Sequence, residues 1–194
     1  QPSRQSAPRT NRPSCLRYGT FLGVVEDRLV VGVVLIDADG INVVSENIEI
    51  LKEAKSPVVI TPHLKEMCRL IGKDMDYLKS NKTKCAVDFC KNYGATLVLK
   101  GHNTIIAYAT GDIYLNTTGN PGMAKGGSGD VLSGMIASFL AQGFSAVDAA
   151  FCATYIHGLA GDRCREKMSE VAMTPADLVN VLPEIFLEFE KGDL

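Results

Sequence analysis

Apolar positions along this chain fall into two rhythms, unbroken β-branched runs and stretches of helical period, and the two alternate. The run "LVVGVVLIDADG" (29–40) is apolar at most positions before ending in aspartates and glycine. That is the pattern of a strand buried on both faces of a parallel sheet. A helical stretch is expected over 44–55, then "SPVVITPH" (56–63) as a second buried strand stopping at Thr61-Pro62. "LKEMCRLIG" (64–72) predicts a short helix closed by Gly72. "MDYLKSNKTKCAVDFCKNYG" (75–94) predicts a longer amphipathic one, again ending on glycine as helix carboxyl termini often do. "ATLVLKGHN" (95–103) is a third strand, and "TIIAYATGDIYLN" (104–116) predicts two antiparallel strands joined by a turn at Gly111-Asp112. Helices are expected over 130–142, 145–165 and 175–190. Ser145 and Asp148 have capping-box spacing, and Thr174 precedes a proline at a first helical position. Alternation through the first two-thirds of the chain implies an α/β fold with a mainly parallel central sheet flanked by helices.

Composition narrows the class. The first twenty or so residues are rich in Pro, Ser, Arg and Gln, so the chain divides into a leader over 1–27 and a folded unit over 28–194. A length of 194 residues suits one substantial core and not two. A net charge of −2 offers no surface for a polyanion, which argues against nucleic acid as a partner. No apolar run approaches the roughly 20 residues of a membrane span. Cysteines at 15, 68, 85, 90, 152 and 164 form no Cys-x-x-Cys and no zinc spacing, which reads as a reducing, cytoplasmic protein.

The chemistry gathers in "NTTGNPGMAKGGSGDVLSGMIASFL" (116–140), where glycines precede a helix. A helix start leaves backbone N–H groups without partners and carries partial positive charge. Gly126, Gly127, Ser128 and Gly129 let such groups converge on one anion, commonly phosphate. No Lys-Ser/Thr pair follows, so this is not a Walker loop, and no strand leads directly in as a dinucleotide turn requires. Asp130 beside the nest can accept the proton of a hydroxyl as its oxygen attacks phosphorus. Alternatively it caps its own helix. Lys100-Gly101 and His63 end strands at the carboxyl edge where open α/β sheets bind ligands.

These segments resemble a known family. "IDADGIN" (36–42), "VVITPH" with Glu66 three residues on, "VLKGHNT" (98–104), "NTTGNPGMAKGGSGDVLSG" (116–134) and "YIHGLAGD" (155–162) are similar, in order, to the ADP/ATP-dependent NAD(P)H-hydrate dehydratases. The resemblance implies a ribokinase-like layered fold and a metabolite-repair reaction. In it, ADP or ATP with Mg²⁺ phosphorylates the hydroxyl of hydrated NADH or NADPH, and phosphate then leaves. It implies Asp130 as base and hydrate contact, His63 as hydrate contact, and Lys100, Gly101, His102, Asn103, Thr104 and Gly129 along the nucleotide. It also implies an NAD(P)H-hydrate epimerase as partner. The family's usual amino-terminal strands are not recognisable in residues 1–35. The expectation is a sheet with an exposed apolar edge and face, favouring homo-oligomers.

Other residues outside that set carry their own readings. Asp37 and Asp39, two apart on a strand, would share a face and could bind a metal, or Asp37 could satisfy the N–H groups of the next turn. The metal ligands stay unassigned. Lys125 could neutralise phosphate charge or stand solvated in its loop. His157 is expected as a packed core residue. The competing functions are a ribokinase-like vitamin-precursor kinase, which keeps phosphate on its product, and a non-catalytic nucleotide-binding remnant.

Overall fold

Five short strands form one sheet in the order β1–β2–β3–β4–β5 in the computed structural model, which describes residues 32–194. The leader expected over 1–27 and the beginning of the 28–194 unit lie outside the described residues. Strands β1 (Val34–Ile36), β2 (Val58–Ile60) and β3 (Thr96–Leu99) run parallel. Strands β4 (Ile105–Ala107) and β5 (Ile113–Leu115) pair antiparallel, so the hairpin expected over 104–116 is present.

Why the middle strands lack polar alternation follows from what covers them. Val59, Val98 and Ile106 face a cluster with Leu132, Ile136, Ala153, Ile156 and Ile185. Their neighbours Val58, Ile60, Leu97, Leu99, Ile105 and Ala107 face a second cluster with Ile41, Met67, Leu78 and Phe89. Successive side chains point to opposite faces, and both faces are dry. The first cluster is built by α5 (Ser128–Ala141), α6 (Ala146–Ala172), α7 (Pro175–Asn180) and α8 (Leu182–Lys191). The second is built by α1 (Asp39–Glu46), α2 (Leu64–Ile71), α3 (Met75–Ser80) and α4 (Lys82–Tyr93).

β1 departs from expectation. It was expected buried on both faces, yet Val34 is 46% exposed and the strand is a sheet edge, because no described strand pairs with its outer side.

Several helix bounds also differ, each for a local reason. The stretch expected over 44–55 is instead α1 followed by a 3-10 helix at Ile48–Glu53, with Asn47 leaving helical geometry between them (φ −147°, ψ 73°). The long helix expected over 75–94 divides at Asn81, whose amide donates back to Tyr77 O at 3.0 Å. Helix α5 begins at Ser128, two residues before Asp130. Helix α6 continues to Ala172 with a break at Ser169. The helix expected over 175–190 divides at Val181, just before Pro183, which lacks the N–H that continuation requires. Of the two expected caps, Thr174 and Asp177 form a full capping box, whereas at α6 Ser145 Oγ accepts from Asp148 N at 3.1 Å.

Candidate functional site

The carboxyl ends of the parallel strands deliver Asp37 after β1, Thr61-Pro62-His63 after β2 and Lys100 after β3. Strand β3 is laid beside β2 there by Lys100 N donating to Pro62 O at 2.8 Å. Lys100 Nζ forms an ion pair with Asp37 Oδ1 at 2.8 Å, and Ser133 Oγ of α5 donates to Asp37 Oδ2 at 2.5 Å. Burial pushes the Asp37 carboxyl up. Hydrogen bonds from Lys100, Ser133 and Thr61, with the Lys100 charge, outweigh burial and hold it below the usual carboxylate range. This arrangement replaces both readings of Asp37. It neither pairs with Asp39, which is an exposed residue in the first turn of α1, nor caps the next turn.

Helix α5 points its amino terminus at Lys100. Gly127 is its N-cap at φ 93°, a left-handed conformation that suits glycine. Ser128 N donates to Lys125 O at 3.2 Å, while the N–H groups of Gly126, Gly127, Gly129 and Asp130 have no hydrogen-bond partner among the described residues. A Cβ placed on Gly129 would stand 3.5 Å from Lys100 Nζ, so the ammonium and the free N–H groups border one space. These groups suit an anion. Asp130 is exposed and in the first turn, and α5 has no side-chain cap bond. The capping alternative for Asp130 is therefore excluded.

The other singled-out residues divide. His63 is the N-cap of α2: its Nδ1 accepts from Glu66 N at 3.1 Å while its own N donates to Glu66 Oε2 at 2.7 Å. Its Nε2 lies 3.4 Å from Glu66 Oε1, and the side chain remains half exposed. Gly101, His102 and Asn103 form an exposed turn with Thr104 Oγ1 donating to Gly101 O at 3.2 Å. His157 lies buried in α6 as expected, its Nε2 3.4 Å from Ser128 Oγ beneath the nest. Burial, aided by the Lys100 charge, pushes its pKa down to about 4, so the ring is neutral.

Lys125, half-buried, is not turned to the nest space; it donates to three carbonyls at the end of α6. No group of three or more His, Cys, Asp or Glu that could hold a metal ion stands among the described residues.

Ser133 and Asp162 are missing from the sequence-based site. Asp162 Oδ2 accepts from Gly119 N at 2.8 Å and Oδ1 from Asn120 at 3.1 Å, tying the 116–124 loop to α6. Ser133 carried a usable signal, since it lies three residues after Asp130 on the same helix face. Asp162 closes the "YIHGLAGD" segment, whose pattern alone gives it no role.

The profile of the NAD(P)H-hydrate dehydratase family matches residues 18–184. The chain is 39% identical over 150 residues to the ADP-dependent (S)-NAD(P)H-hydrate dehydratase of Neisseria meningitidis, covering 76% of this chain and 50% of that one. It is 38% identical over 157 residues to the bifunctional NAD(P)H-hydrate repair enzyme of Moorella thermoacetica, covering 81% and 30%. The crystal structure of the ADP/ATP-dependent NAD(P)H-hydrate dehydratase of Bacillus subtilis, co-crystallized with ATP/Mg²⁺, superposes with a TM-score of 0.71 at 29% identity, covering 84% and 58%. The chain thus spans about half the length of the shorter of the two curated relatives. The layered fold is ribokinase-like. With the quoted segments in family order and a profile match across most of its length, the chain belongs to the NAD(P)H-hydrate dehydratase family.

Proposed function

We propose that the protein dehydrates hydrated NADH or NADPH at the expense of ADP or ATP. The observation that carries this reading is the set of four unpartnered N–H groups at the start of α5, bordered by Lys100 and by the uncommitted Asp130 carboxylate. The amides of Gly126, Gly127, Gly129 and Asp130, with the Lys100 ammonium, would hold the transferring phosphoryl group and stabilise its charge. Asp130 takes the proton from the hydrate hydroxyl as that oxygen bonds to phosphorus and the bond to the donor's leaving phosphate breaks. The ring carbon–oxygen bond then breaks, phosphate departs with its electron pair, and loss of a ring proton restores the double bond. Gly101, His102, Asn103 and Thr104 line the nucleotide, and the half-exposed side chain of His63 meets the hydrate. Mg²⁺ would accompany the nucleotide and supply positive charge to its phosphates; Asp37 is already bonded to Lys100 and Ser133.

The relatives' names support the choice of substrate, and the (S) of the Neisseria enzyme implies a need for an epimerase that supplies one form of the hydrate. We place the protein in the cytoplasm, a reading that the free thiols at Cys68, Cys85, Cys90 and Cys164 support and the disulfide-bonded Cys152 opposes, and a homo-oligomeric contact at the exposed β1 edge.

The test follows the phosphate. Purified protein with Mg²⁺, hydrated NADH and either nucleotide should release inorganic phosphate in step with regenerated dihydronicotinamide absorbance. Phosphate retained on the product would instead make it a kinase; nucleotide binding with no turnover would make this chain a non-catalytic binder.

A further inference from the structure

Lys125 has surroundings that the proposed chemistry does not call for. Its ammonium donates to Glu170 O at 3.2 Å, Val171 O at 2.8 Å and Met173 O at 2.5 Å. Three acceptors use up its three N–H donors, leaving none for a phosphate. Those carbonyls follow a strained residue, Ser169, at φ 74° and ψ 159° inside α6. That region is essentially reserved for glycine, and surrounding structure must over-determine a serine held there.

The ammonium is the centre of three staggered contacts. A Cβ on Gly122 would come within 2.7 Å of Glu170 Cα, and one on Gly127 would stand 3.2 Å from Pro175 Cγ. The segment 122–127 therefore lies along 170–175, with Lys125 as its polar fastening. The next two residues are Gly126 and Gly127, which carry two of the free N–H groups, and Lys125 O itself receives Ser128 N.

We propose that Lys125 is a positioning residue, a tethered cation in a three-carbonyl cage that fixes the backbone of Gly126 and Gly127 so their N–H groups converge. The geometry stands by itself, while its effect on binding rests on the nucleotide reading above. A lysine that only capped α6 would add stability through the helix end. One that fixes the nest also sets nucleotide affinity, and a small free cation can replace it once the side chain is removed.

The experiment compares the full chain with Lys125→Ala and Lys125→Met by the backbone amide resonances of Gly126, Gly127 and Gly129, and by calorimetric binding of Mg·ADP and Mg·ATP. Lys125→Ala should displace those resonances and weaken binding roughly tenfold, the factor for loss of about 1.4 kcal/mol. Ammonium or methylammonium should restore both, and tetramethylammonium, too large for the cage, neither. In Lys125→Met the apolar stem fills the space, so ammonium should restore nothing. Unmoved amides, or displaced ones that ignore ammonium in the alanine variant, overturn the proposal and leave Lys125 a helix cap. Should the alanine variant not fold, the methionine variant decides: displaced amides support the proposal and unmoved ones overturn it. Amides that respond as stated in a protein that binds no nucleotide uphold this inference and defeat the nucleotide reading instead.

Discussion

An ammonium beside a helix amino terminus is disfavoured, because both carry positive charge. Lys100 nonetheless borders the start of α5, held by Asp37 at 2.8 Å. An arriving phosphate turns the repulsion into a shared attraction. Lys100→Met should weaken Mg·ADP or Mg·ATP binding by about 1.5–3 kcal/mol, the range for a hydrogen bond to a charged group, as calorimetry would show. His157 makes a separate prediction. Its folded pKa of about 4 lies below the ordinary value of 6.5. Between those values the unfolded chain binds a proton that the folded chain refuses. Stability is therefore full above about pH 6.5 and falls by about 3 kcal/mol as pH drops to about 4. Urea unfolding across that window should show the slope, and His157→Gln should flatten it. That Gly129, Lys100 and Asp130 stand near one another was legible in the sequence, because glycine clusters and strand ends are local patterns. Ser133 was not read, because its partner Asp37 lies 96 residues away. Lys125 was misread for the same reason, its acceptors being 45–48 residues distant.

Among the elements, α6 and the loop over 116–124 press backbone to backbone. A Cβ on Gly158 would meet Thr118 C at 2.7 Å and Thr118 O at 2.8 Å, whereas one on Gly161 meets only the Met123 side chain. Backbone cannot yield as a methionine can. Gly158→Ala should thus cost about 1–3 kcal/mol and Gly161→Ala clearly less, measured as a difference in denaturant midpoint. Ser169→Gly should act oppositely. Relief of backbone strain of order 1–3 kcal/mol exceeds the entropy cost of glycine, about 0.5–1 kcal/mol, so the melting temperature should rise. Helices that end on Gly72 and Gly94 were legible from those residues. The breaks at Asn81 and Ser169 were not, since neither residue forbids a helix by composition. Asn81 breaks by bonding back to Tyr77, and the turn at Ser169 lies where the carbonyls that follow it meet Lys125.

At the scale of the whole molecule, the three-layer arrangement was legible because both faces of β2, β3 and β4 are apolar but for Thr96. What composition alone misjudged is how far β1 is buried. "LVVGVVLIDADG" has the composition of a buried strand, yet among the described residues β1 stands at the sheet edge, with Val34 46% exposed. Burial depends on neighbours, and a single run cannot report them. Val34→Lys places a charge on that edge and should lower self-association by light scattering while leaving nucleotide binding unchanged. At the carboxyl ends of the strands, Asp130 stands uncommitted beside N–H groups that have no partner among the described residues. The most direct test of its role as base is recovery of dihydronicotinamide absorbance from hydrated NADH by the native chain and by Asp130→Asn, each shown to bind nucleotide. Recovery should depend on ADP or ATP and fall at least about 100-fold in the variant with binding retained. Equal rates in the two proteins would contradict that role.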